Sequence, residues 1–339
     1  MANTYFGRDS YILLDKVTSS DGAYGTATAD YIIANPLIGT TIQRTIEKTP
    51  RPHLVTGANN RRSHFVASDN VGGTFTIEAN YSTIGLILKH ALGAGSTSAG
   101  TPNTHSYTMA AALPDNGLTA SIVRGSGGTG EIIEGVRIAS MTFTSNSAEV
   151  ATLECEVIGE TSNVTTTDGS ETRADASTDA TLIAAIPDDP VLHHHMTGGT
   201  FTFDGEAVSV RSVTVTINNG IARRQFLGSK VTADPLRSDF SSVEVSMEID
   251  VNDALYAKYV ADVNGVDATL TFNDGASGAN EHEMKFFFQN CRLTECSDPI
   301  NGAGLLGQTI GFVCESDGTN HGLKIDVKNN AANPELPGT

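Results

Sequence analysis

Hydrophobic and polar residues alternate with period two over several stretches of the chain. The clearest are Thr74–Glu78, Ser212–Ile217 and Glu244–Asp250. This period sends successive side chains to opposite faces, so each stretch predicts a strand with one face in a core. Two such strands, marked by Phe75 and Ile77 and by Val245, Met247 and Ile249, run through a polar joint into a short apolar segment. Over 83–92 the apolar positions are Ile84, Leu86, Ile87, Leu88, Ala91 and Leu92; over 252–263 they are Ala254, Leu255, Tyr259 and Val263. Both predict helices that must be covered by their own sheet or by a neighbouring subunit. Asn252 is a suitable N-cap, and Gly93 and Asn264-Gly265 supply the stops.

These two passages read as one unit written twice. Residues 73–93 match residues 244–265, with Lys89 and Lys258 separated by 169 positions, and residues 134–141 match 289–296, with Arg137 and Arg292 separated by 155. The two pairs occur in the same order, and a period this long indicates a domain copied once rather than a solenoid. In each half a strand (about 40–46, then 211–221) precedes a long arginine-bearing loop, the strand-helix unit and a closing hairpin. The first loop carries Arg51, Arg61 and Arg62 and includes Thr-Pro-Arg-Pro at 49–52, which cannot continue a central strand. The second loop carries Arg223, Arg224 and Arg237. The closing hairpins are 136–159, turning near Ser145–Ala148, and 285–315, with a longer turn.

The predicted organisation is a first domain over 1–160 with an N-terminal arm over 1–12, a linker or surface excursion over 161–195, a second domain over 196–328 and a flexible tail over 329–339. At 339 residues the chain can bury a core in each half. Abundant Thr, Ser, Val and Gly with no Trp describe a β-rich protein. No apolar run is long enough to span a membrane, and the first residues lack a secretory pattern, so the protein is expected to act where it is translated. Four scattered cysteines predict buried, reduced thiols.

A net charge of −18 opposes duplex DNA binding by phosphate neutralisation. The same charge suits a wall along which DNA slides without adhering. The histidine run His193–His195, the Glu281-His282-Glu283 triplet and the glycine-rich 124–131 lack the spacing of a metal, catalytic or phosphate site. No enzyme and no cofactor are predicted. In so acidic a chain, arginine pairs at matching places in both halves are candidates for meeting acidic patches on a neighbouring copy.

The stretch 201–260, with its Val-Ser-Met-Glu-Ile-Asp strand running into a helix, resembles the tail tube proteins of tailed bacteriophages, and Thr-Pro-Arg-Pro-His-Leu (49–54) followed by 72–93 resembles the equivalent passage. The resemblance implies tandem β-sandwich or barrel domains, each with a flanking helix and a long inter-subunit loop, assembled into stacked rings around the tail lumen of the virion. Two domains per chain imply a trimeric ring with pseudo-sixfold symmetry, in preference to a hexamer. The implied partners are further copies, a tape measure protein and a tail terminator, with DNA as passing cargo. Acids that would line such a channel are sought among Glu131, Glu134, Glu149, Glu154, Glu156, Glu244, Glu248 and Asp250. The competing expectation is a pair of β-sandwich binding or adhesin modules, which the scarcity of aromatic residues disfavours.

Overall fold

A computed structural model describes residues 11–16, 31–34, 39–50, 64–114, 117–123, 130–165, 192, 201–297, 307–316, 318 and 322–331. The first half contains β1 (Tyr11–Lys16), β2 (Tyr31–Ala34), β3 (Gln43–Pro50), β4 (His64–Glu78), α1 (Ile84–Leu92), β5 (Gly93–Ser98), β6 (Asn103–Met109), β7 (Leu118–Val123), β8 (Gly130–Asn146), β9 (Thr152–Gly159) and β10 (Thr161–Thr165). The second contains β11 (Phe201–Phe203), β12 (Glu206–Val208), β13 (Val210–Asn218), β14 (Ile221–Arg224), β15 (Ala233–Arg237), β16 (Ser242–Asp250), α2 (Asp253–Val260), β17 (Asn264–Asn273), β18 (Glu283–Cys296), β19 (Gly307–Cys314) and β20 (Leu323–Asn329). The fold is mainly β, and its ladders are antiparallel.

One pairing scheme occurs twice. In the first half the strands lie in the order β3-β4-β9-β8, and in the second in the order β13-β16-β19-β18. β8 also pairs with β13, so the two sets form one run of eight strands. A second layer follows the same rule, β2-β1-β7-β8-β10 and then β12-β11-β17-β18-β20. The long strands β8 and β18 belong to both layers. Even an irregularity recurs, since the register slips between Ile138 and Ser140 in β8 and between Leu293 and Glu295 in β18, residue pairs separated by the same 155 positions as Arg137 and Arg292. A bulge re-aims the strand that carries it, and here it lies on the strand that both layers share. The β5–β6 hairpin has no counterpart among the described strands of the second half and extends the second-half layer through β6–β20.

The alternation in sequence becomes the two sides of these sheets. Along β16, Val243, Val245, Met247 and Ile249 are buried while the residues between them are exposed. The apolar sides form one continuous core across both halves, where Phe143 lies 4.9 Å from Phe286 and 5.5 Å from Phe272. The four cysteines are unbridged and buried, as expected from the sequence.

Several boundaries differ from those expected. β4 begins at His64, inside the predicted loop, because Pro50–Glu47 pair with His64–Ser68 across a bulge. Pro50 is tolerated because it ends a strand whose outer edge has no partner among the described residues. Tyr11 and Ile12, expected in an arm, open β1, and Thr161–Thr165, expected in the linker, form β10. Leu192, also in that linker, is buried, donating its N–H to Ala79 O and accepting from Ala151. Asn329 completes β20 within the expected tail, because its amide donates to Tyr81 O.

Candidate lining face and assembly surfaces

The polar side of the eight-stranded run is ordered by register. One row crosses Thr76, Glu154, Thr142, Thr216, Glu244, Val313 and Arg292, each directly opposite the next. A neighbouring row crosses Thr74, Glu156, Ser140, Asn218 and Ser242. The face is therefore hydroxyl-rich with carboxylates between, and side-chain hydrogen bonds such as Ser140 Oγ to Glu156 Oε2 at 3.2 Å run across it. Of the expected lining acids, Glu154, Glu156, Glu244, Glu248 and Asp250 share this face. Arg211, set at a bulge in β13, partly offsets the last two by bonding Asp250 and lying 3.7 Å from Glu248. Glu78 and Glu295 were missed as candidates although their register places them in one row, through Thr152, Thr144, Thr214, Ser246 and Gly311.

Glu131 and Glu134 lie elsewhere. They sit on the N-terminal part of β8, opposite Val164 and Thr161 of β10, and Glu131 is only 5% exposed. Glu149 lies in the β8–β9 turn, where its carboxylate accepts from Asn146 at 2.8 Å.

The second-half arginines are held within the chain. Arg223 donates to Val71 O at 3.1 Å, and Arg224 donates twice to Asp234 O, at 3.1 and 2.8 Å. Arg237 donates to the carbonyls of Asn219, Ala110 and Ala111, and its burial among them lowers the guanidinium pKa below its ordinary value. The Arg224 bonds close the β14–β15 hairpin on itself, while those of Arg223 and Arg237 to first-half carbonyls, together with Asp69 N–H donating to Lys230 O, clasp it to the first half. Arg51, Arg61 and Arg62 lie outside the described residues, as do His193–His195 and most of the glycine-rich segment 124–131.

Asn219, which sequence reasoning did not single out, and Arg137, noted there only as a marker of the repeat, fix the contact between the halves. Asn219, fully buried, donates through Nδ2 to Ala91 O at 2.8 Å and Ile138 O at 2.9 Å. Arg137, 5% exposed, forks onto Asp234 with contacts of 3.2–3.4 Å and also donates to Pro114 O. Its counterpart Arg292 pairs with Asp262 at 3.0 Å on an exposed surface. In the Glu281-His282-Glu283 triplet, both carboxylates share Lys328, and His282 Nδ1 lies 2.8 Å from Asp274 Oδ2. This is a cross-linked hairpin base. Among the described residues no group of three or more His, Cys, Asp or Glu side chains is placed to hold a metal ion.

The helices differ in their cover. Every residue of α1 except Lys89 is buried, whereas Leu255 alone is buried in α2. Asn252 caps α2 as predicted, accepting from the N–H groups of Ala254 and Leu255. Among the described residues no helix is long and apolar enough to cross a membrane.

No individually curated protein matches the sequence. The sequence profile of a family described as phage tail tube protein matches residues 7–314, which includes both helices and every described strand except β20. The chain belongs to the phage tail tube protein family and is a structural component of a virion tail.

Proposed function

We propose that this chain polymerises into stacked rings whose joined sheets enclose the lumen through which phage DNA is delivered. The observation that carries this reading is the twice-repeated four-strand order with its single polar, acid-rich face. The outer edge of β3 and, beyond Arg292, the edge of β18 away from β19 pair with no described strand. Unpaired edges template association, and closure into a ring removes them. The recurrent bulge supports a tandem duplication with domains over 1–160 and 196–328 joined through 161–195. Three chains would then supply six domains, so a trimeric ring with pseudo-sixfold symmetry follows, with the hexamer of two-domain chains as its rival.

The acids of the polar face repel phosphates, and the threonine and serine hydroxyls between them keep the wall wetted. DNA is therefore cargo rather than ligand. Arg51, Arg61 and Arg62 remain candidates for contacts to the adjacent ring. The tape measure protein would occupy the lumen before DNA, and a terminator would cap the last ring. Assembly in the host cytoplasm fits this role.

Negative-stain microscopy of the purified protein tests the reading. Hollow tubes or rings are expected, and a persistent monodisperse monomer at high concentration refutes it. Charge reversal of Glu154, Glu156 and Glu244 to Lys should leave tubes intact and slow DNA ejection; unchanged infectivity overturns the electrostatic role.

A further inference from the structure

The repeated register allows residues of the two halves to be matched one to one. Gly72 lies opposite Ile158 and Glu244 opposite Val313, and these partners stand 155 apart like the bulges, so Gly72 and Glu244 are counterparts. Their other neighbours are Gln43 and Thr216, which places Ile46 at the position of Asn219. The Phe65–Val66 step falls at the position of Arg237, near the base of each distal hairpin. Ala91 of α1 corresponds to Val260 of α2 through Lys89 and Lys258, and Ile138 corresponds to Leu293.

Within the chain, three features of the first half are covered by the second. The α1 end is held by Asn219 at Ala91 O; the β8 backbone is held by Asn219 at Ile138 O; and residues 69–71 of β4 bond Lys230, Thr232, Gln225 and Arg223 of the distal hairpin. Among the described residues, the counterparts of all three in the second half lack such cover. On α2, Val260 is 65% exposed, and Tyr256, Tyr259 and the preceding Val251 are exposed too. Leu293–Glu295 of β18 pairs with a described strand on one edge only. At 241–243, the counterparts of 69–71, there is an open cleft of about 760 Å³ lined by Asp239, Phe240, Ser241, Val243 and Cys314, with Phe240 94% exposed. The reciprocal surface also presents apolar side chains, since Ile46, Phe65 and Val66 of the first-half hairpin are exposed, with Arg44, Glu47 and Lys48 around them.

We propose that the exposed face of α2, with the β18 edge and the cleft at 241–243, seats the β3–β4 hairpin of a second copy of this chain. In that contact Ile46 of one chain lies against Val260 of the next, as Asn219 lies against Ala91 inside one chain. The contact between the halves thus serves as the template for the contact between chains. The internal version is polar because Asn219, buried during folding, and the part-buried Arg237 bond backbone carbonyls. The external version is apolar because both of its surfaces are complete before they meet, and burying them supplies the attraction. The inference rests on the self-assembly reading above and names the surfaces that carry it.

The test places Ile46→Cys and Val260→Cys together in one chain. After assembly, the protein is treated with a short bismaleimide and run on a denaturing gel. The expected result is a covalent ladder ending at three chains, with each single variant remaining monomeric. Tubes that form normally without a ladder overturn the proposed contact while leaving the tube reading intact. Failure of the unmodified protein to form rings or tubes removes both. A ladder ending at six chains keeps the contact and refutes the trimeric ring. As a second measurement, Val260→Asp, at a position already largely exposed, should keep the unmodified unfolding midpoint and abolish ring formation. Rings formed by that variant at the unmodified protein's concentration overturn the proposal.

Discussion

Replacing Asn219 with Ala tests whether the two halves are joined by specific polar bonds or by apolar contact alone. Ala91 O is one of the last carbonyls of α1, which the helix itself leaves without donors. Nearby carbonyls are served by backbone donors, Lys89 O by the N–H of the C-cap Gly93 and Leu92 O by the Ala110 N–H. Ala91 O and Ile138 O both receive the Asn219 amide, and Asn219 is fully buried. Truncation removes two donors at once, and a buried acceptor left without its partner costs about 1–3 kcal/mol. Arg237 also loses its 3.3 Å contact to Asn219 Oδ1 while keeping its bonds to Asn219 O, Ala110 O and Ala111 O, so that loss is small. The expected loss is about 2–4 kcal/mol in urea-induced unfolding, with an unchanged slope. Asn219→Asp should cost at least as much at neutral pH, because a carboxylate would face two carbonyl oxygens. Its deficit should shrink in acid, where the protonated group regains one donor. A loss below about 0.5 kcal/mol for Asn219→Ala would show that the amide contributes nothing specific and refute the reasoning.

Gly73 adopts φ +150°, and a Cβ there would come within 2.5 Å of Thr41 O and 2.8 Å of the Ile42 Cα, both backbone atoms. Gly73→Ala should therefore displace the segment before β3, lowering stability by about 2 kcal/mol or more and increasing proteolytic cleavage near Thr41; a neutral result would mean that the edge moves freely. His105 is fully buried, with Nδ1 3.0 Å from Thr97 Oγ1 and Nε2 2.9 Å from Asn329 Oδ1. Burial lowers its pKa from the ordinary 6.5, against smaller upward effects of its hydrogen bonds. Above that value the ring is neutral folded and unfolded alike, and as pH falls below it only the unfolded chain takes up the proton. Stability should thus decline from about pH 6.5 down to the lower folded value, and His105→Gln should flatten that decline in unfolding curves from pH 7.5 to 5.5.

The elements visible in sequence were those whose neighbours are regular. β16 and β13 carry strict alternation because one face is core and the other polar, and Asn252 was recognisable because an N-cap acts within three residues. The arginine-pair motif was visible but not its use, since Arg223 and Arg224 are held by backbone carbonyls that a sequence pattern does not display. Glu131 ends the glycine-rich segment 124–131 and Glu154 lies in the closing hairpin 136–159, and neither position shows in sequence which layer it joins. They separate only because β8 passes from one layer to the other, and the slip between Ile138 and Ser140 lies between its two segments. The two helices make the same point about context. Nearly all of α1 is apolar because cover comes from within its own chain, while α2 mixes Lys258 and Asp253 with Tyr256, Tyr259 and Val260. A helix that must remain soluble before it is covered needs polar residues beside its apolar ones. In the proposed assembly, the two halves differ most where one contact forms during folding and its counterpart awaits a second chain, while the polar face, which would have the same task in both, keeps its hydroxyl and carboxylate pattern.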